Sequence, residues 1–180
     1  MRTGSRFLSA VLTALALCVG PASPLHGQQE HAGRPTPAAM QALALTVVQG
    51  AATFARDMLT DSIPLLIDST ALRRTMPTVS PEAVVQAYGE TARAVSRSST
   101  VTCTKSPVPL SCSIVDDGVL VEVRRVDTTS TGASALVTVT KLGRPNRDGR
   151  AHLVESGLRI QLLRDGNDWS VASVSLDWMS

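Results

Sequence analysis

The sequence predicts an α+β fold, with N-terminal helices packed on a curved, cone-like antiparallel sheet of about four main strands. Three observations predict it. Apolar residues recur at helical spacing up to about residue 95. From Val101 onward the period drops to two. The links between the alternating segments are short and hold Gly, Asn and Asp, whereas a parallel crossover needs roughly a dozen residues or more. Helices followed by a meander of strands place the helices on one face of the sheet.

The chain opens on a targeting signal. Residues 1–6 carry Arg2 and Arg6 and no acid, residues 7–19 are mostly apolar, and residues 20–27 are small and punctuated by proline. That order describes a secretory signal peptide over residues 1–27. A spanning helix needs about 20 apolar residues, and this run is shorter and contains Ser9 and Thr13. A lipid anchor on Cys18 requires a small residue before it, and Leu17 stands there. Cleavage after Ala22 or Gly27 fits; Gln28 opens a polar stretch and favours Gly27. The expected mature protein is exported, periplasmic or extracellular, with no membrane span.

Composition narrows the function classes. The formal charge is +2 over 180 residues. Loss of residues 1–27 removes two arginines and no acid, leaving a neutral chain. Such balance, with scattered basic residues, predicts no nucleic-acid partner. The mature aromatic residues are Phe54, Tyr88, Trp169 and Trp178, so Val, Leu, Ile and Ala must build the core. Cys103 and Cys112 remain after Cys18 leaves, an even pair in an exported chain, and predict a disulfide. Their Cα atoms should then lie about 4.4–6.8 Å apart. No histidine neighbours them and the spacing is not Cys-x-x-Cys, so neither a metal site nor a redox pair is predicted.

Residues 28–36 read as a loose tail, and residues 37–180 as one domain. Thr36 and Pro37 start a first helix, whose apolar face is Met40, Leu43, Val47, Ala51, Phe54 and Met58. Asp61 or Ser62 caps a second, shorter helix with Pro64 in its first turn, followed by Leu65, Leu66 and Ile67. Met76-Pro77 closes that region. Ser80 and Pro81 start a third helix with a buried stripe of Val84, Tyr88, Thr91 and Val95. The strands follow: Val119, Val121 and Val123; Ala135, Val137 and Val139; Leu158, Ile160 and Leu162; and Ala172, Val174, Leu176 and Trp178. By strict alternation, Leu176 and Trp178 share the core face with Val174, while Arg159 lies opposite Ile160. Residues 165–168, with Gly166 and Asn167 at the centre, read as a tight hairpin.

Two segments carry a resemblance. Residues 158–171, in which Trp169 follows the Gly166 turn, resemble the final hairpin of the nuclear-transport-factor-like (cystatin-type) superfamily of α+β cones. Residues 80–95 resemble its third helix. The resemblance covers residues 37–180 and implies a pocket between helices and sheet that is catalytic, binds small apolar ligands, or is filled. The loop between Cys103 and Cys112 departs from the family pattern.

Candidate site residues are few. Arg125 points coreward if the alternation of Val119, Val121 and Val123 continues, and can then bind an anion; Val126 after it favours a bulge that turns it outward. Tyr88 sits on the apolar stripe of the third helix and either presents a hydroxyl to a cavity or packs in the core. His152 reads as a base with Asp148 or Glu155 as partner, or as a surface residue. Asp68 reads as a pocket carboxylate or a helix cap. No phosphate loop, metal pair or nucleophile elbow is present in the sequence, and no cofactor is predicted. The reading is an exported, non-enzymatic α+β cone domain that binds a small apolar ligand or a protein partner. The alternatives are an acid–base enzyme of isomerase or dehydratase type using Tyr88, Asp68 or His152, and a structural protein that dimerises through its sheet face.

Overall fold

The computed structural model describes residues 35–56, 63–104, 111–145, 147 and 151–180, all within the compact unit Ala32–Ser180. The expected signal peptide, nearly all of the tail, Met58, Asp61, Ser62, Asp148 and the loop between the cysteines lie outside these residues.

Helix α1 spans Pro37–Arg56. The Thr36 hydroxyl accepts a hydrogen bond from the Ala39 N–H at 3.2 Å, which caps one otherwise unpaired donor. Leu43, Val47 and Ala51 are fully buried, and Ala44 and Val48 widen the stripe. By length and composition α1 is the one described helix apolar enough to cross a membrane, and half of that window is buried inside the domain. Its Gly50 marks a close approach: a Cβ there would stand 3.3 Å from Val171 and 3.4 Å from Ile160.

The expected second helix is corrected. Leu65–Asp68 is strand β1, followed by helix α2 at Ser69–Thr75. A short apolar run does not reveal its own period. Here it is buried on both faces, with Leu65 and Ile67 in the main core and Leu66 in a second one. Helix α3, Pro81–Tyr88, begins as expected at Ser80, whose hydroxyl accepts from the Ala83 N–H at 3.2 Å. It stops at Gly89, which adopts φ 121°, and residues Ala92–Val95 become strand β2 instead of a last helical turn. A short helix α4, Arg97–Thr100, leads into strands β3, Val101–Thr104, and β4, Ser111–Ile114.

Four long strands complete the chain: β5 Val119–Thr128, β6 Gly132–Leu142, β7 Leu153–Asp165 and β8 Asp168–Met179. The expected meander is present but forms only part of the sheet. The order is β2-β1-β5-β6-β7-β8, with β3-β4 a separate two-stranded sheet. β1 runs parallel to both β2 and β5, so the sheet is mixed and six-stranded rather than antiparallel with four. Helices α2 and α3 supply the crossover that parallel pairing needs. The fold is α+β: α1, α2 and α3 bury the inner face of the sheet, where Val121, Val137 and Ile160 meet Leu43, Val47 and Leu72. The outer face is covered at one end by β3 and β4, through Ile114 and Val101 on Leu66 and Leu120.

Bulges override strict alternation in two strands. The β5–β6 register shifts between Val123 and Arg125. In β8 it shifts at Ala172 and again at Asp177, each of which lacks a partner on β7. Val171, Val174, Leu176 and Met179 therefore face inward, opposite Leu162, Ile160, Leu158 and Ser156, whereas Trp178 pairs with Gly157 on the outer face. The expectation that Leu176 and Trp178 share a buried face is corrected. They lie on opposite faces, and both are exposed, at 46% and 44%. Ile160 is fully buried and Arg159 is exposed, as expected.

Candidate functional site

Strand β8 is one edge of the sheet, paired among the described residues with β7 alone, and the surface features converge on it. Five of the six exposed large apolar side chains among the described residues belong to the β7–β8 hairpin: Leu163, Val171, Leu176, Trp178 and Met179. The hairpin turns through Gly166 and Asn167, with φ 60° at Gly166 alone, as a type II′ turn requires. Trp169 pins it to α1, its indole N–H donating to the Ala39 carbonyl at 2.9 Å. Farther along, α1 and β8 part to form an open apolar groove of about 310 Å³, lined by Gln49, Gly50, Thr53, Phe54, Val171 and Val174.

The outer face carries a charged network. Glu122, on β5, is only 2% exposed. It receives a short hydrogen bond from Arg97 of α4 and a longer one, 3.3 Å, from Arg124. Arg97 also donates to Glu155 on β7 and, at 3.4 Å, to Thr140 on β6. Burial by itself lowers the pKa of Arg97; the hydrogen bond to Glu155 and the charges of Glu122 and Glu155 outweigh it and raise the pKa. Arg97 thus stays charged and ties α4 across three strands. Beside this network, Arg124 donates to Thr138 at 3.2 Å and lines a recess of about 290 Å³ with Leu136, Thr138, Gly157, Asp177 and Trp178.

The sequence candidates are dispersed. Asp68 is a buried N-cap, accepting from the N–H groups of Thr70 at 2.8 Å and Ala71 at 3.1 Å. It also borders an open recess of about 410 Å³ with Thr70, Ser96, Arg97, Ser98 and Val101. Tyr88 ends α3 and packs, half-buried, against the main core. His152 is exposed just before β7. No recess described here is lined by two of these three. The bulge at Arg124 turns Arg125 to the outer face opposite Leu136, where it is exposed and pairs with Asp127 at 2.7 Å. Among the described residues no group of acids, histidines and cysteines could hold a metal.

Cys103 and Cys112 are disulfide-bonded across β3 and β4. Their Cα atoms are 4.1 Å apart, closer than expected, because the two residues stand directly opposite each other. The bond is compatible with an oxidising, exported environment. Sequence reasoning missed Arg97 and Glu122 as members of the outer-face network. Glu122 left one legible trace, an acid flanked by valines, with Leu120 and Arg124 as its outward neighbours on the strand.

The fold and its surface define a class, an α+β domain with a mixed sheet, helices packed on its inner face and an apolar edge strand. No family model, no curated protein and no solved structure matches the chain.

Proposed function

We propose that this chain is an exported, non-catalytic binding domain whose partner is a protein seated on the inner side of β8. One observation carries the reading. Val171, Val174, Leu176 and Met179 form an apolar strip on one face of an edge strand, continuous with the groove beside α1. Apolar strips of this kind at a sheet edge mark interaction surfaces. The two bulges decide how the partner binds. They interrupt the edge at Ala172 and Asp177, so a long added strand has no continuous ladder to join. Affinity then comes from apolar side chains entering the groove, with Phe54 and Val174 as its floor. The enzyme reading rests on Tyr88, Asp68 and His152, and no recess described here brings two of them together, as acid–base chemistry would need.

Selection of a displayed library of random peptides on the exported protein tests this. Peptides with apolar anchors should be recovered and should bind the Val171→Lys, Leu176→Lys double variant at least about tenfold more weakly, the scale of a hot-spot loss. Recovery of no peptide, or of peptides indifferent to the two lysines, would overturn the proposal.

A further inference from the structure

The outer-face recess beside Trp178 is separate from the β8 strip and has its own chemistry. The bulge at Asp177 delivers Trp178 to this face. Three atoms of its indole, Nε1, Cε2 and Cδ1, lie 2.1, 2.4 and 2.5 Å from where a Cβ at Gly157 would stand. Near-equal distances to adjacent ring atoms mean that the ring lies face-on over the glycine backbone; an edge-on ring would hold the two carbons farther off. Only glycine permits this approach. The ring is thereby fixed on the sheet while 44% of the residue stays exposed.

The polar wall is equally fixed. Arg124 is held by Thr138 at 3.2 Å and by Glu122 at 3.3 Å, and Glu122 is held in turn by Arg97. Asp177 is held by Arg159 at 3.2 Å. The recess therefore offers N–H donors, a hydroxyl and carboxylate acceptors in set positions, beside an apolar wall of Trp178 and Leu136.

We propose that this recess binds a neutral polyhydroxylated ring, that is, a saccharide unit. The charges around it cancel, Arg124 and Arg159 against Glu122 and Asp177, so neither an anion nor a cation gains from entering. A flat aromatic ligand would stack on Trp178 but cover the remaining acceptor sites of Asp177 and donors of Arg124 without using them, and desolvating such sites without new partners is costly. A sugar ring meets both demands. Its C–H face packs on the indole and Leu136, and its hydroxyls donate to Asp177 and accept from Arg124. The volume of about 290 Å³ lies at the small end for ligand pockets, which run from roughly 300 Å³ upward, and suits one ring rather than a large cofactor.

The test is a printed array of neutral and acidic saccharides probed with the exported protein, followed by fluorescence titration of the best binder. A neutral saccharide should bind, and Trp178→Ala and Asp177→Asn should each weaken it at least about tenfold with the melting curve preserved. Gly157→Ala, which lifts the indole off the backbone, should weaken it too. Absence of binding up to about 10 mM, binding of acidic sugars alone, or binding undiminished in both Trp178→Ala and Asp177→Asn would overturn the proposal. Peptide binding on the β8 strip is read out separately and does not depend on the result.

Discussion

Glu122 shows how much one residue depends on partners distant in sequence. Its carboxylate is buried because Arg97 and Arg124 accompany it. Removing one partner of a buried pair leaves an uncompensated charge and costs about 3–5 kcal/mol. Arg97→Ala takes the closer partner from the buried carboxylate and leaves it only Arg124, so it should destabilise by about 3 kcal/mol, at the lower end of that range. The exposed pair Arg93–Asp116 is the control: Arg93→Ala should cost less than about 1 kcal/mol. Urea unfolding of the two variants checks the contrast. Glu82 offers a pH signature. Hydrogen bonds from its own N–H and from the Ser80 hydroxyl, with the nearby Arg73 charge, lower its pKa below the reference of 4.5. A lowered folded pKa means that the ionised form favours the folded state. The resulting stability is fully present above pH 4.5 and is lost as pH falls through the folded value. Glu82→Gln should therefore lower the melting temperature at neutral pH, and the difference from the natural chain should vanish in acid. Thermal melts across that range measure it.

At the scale of elements, the last hairpin has one buried strand and one exposed strand. Ile160 on β7 is fully buried beneath α1, and Leu176 on β8 lies on the same face beyond the helix's cover. Ile160→Ala should destabilise by about 2–5 kcal/mol, whereas Leu176→Ala should cost less than about 1 kcal/mol. Equal losses in denaturant unfolding would mean that α1 or another segment covers Leu176. The β3–β4 hairpin rests on its disulfide and on Ile114. The bond closes a short loop, so replacing both cysteines by serine should cost about 2–3 kcal/mol on the chain-entropy model, measurable by calorimetry against the natural chain. The helix caps at Thr36 and Ser80 and the Gly166 turn were legible because each is a local device. Strand β1 was not, since four apolar or capping residues carry no period of their own.

Across the whole molecule, α1 touches β5, β6, β7 and β8, so helix and sheet share one core. Unfolding followed by helical circular dichroism and by tryptophan fluorescence should then give coincident transitions. A separate early loss of helix signal would show that α1 detaches on its own. The two proposed binding surfaces both depend on β8 being an edge strand that no other described strand pairs with beyond β7. One lies on its inner face beside α1, the other on its outer face, and the bulge at Asp177 separates Leu176 from Trp178.

The sequence by itself determined what neighbouring residues decide: the helical stripe of Leu43, Val47 and Ala51, the caps at Thr36 and Ser80, the two-residue turn at Gly166 and Asn167, the alternation in β5 to β7, and the pairing of the last two cysteines. Period and turn chemistry are properties of consecutive residues, so they are readable without the fold. Only the tertiary structure decided the rest. Parallel pairing made Leu65–Asp68 and Ala92–Val95 into strands. Bulges placed Arg125 and Trp178 on the outer face. The fold brought Arg97 to Glu122 and Glu155, 25 and 58 residues away. Each of these depends on which strand lies alongside and how the hydrogen-bond ladder closes, and that is settled by packing between segments far apart in the chain.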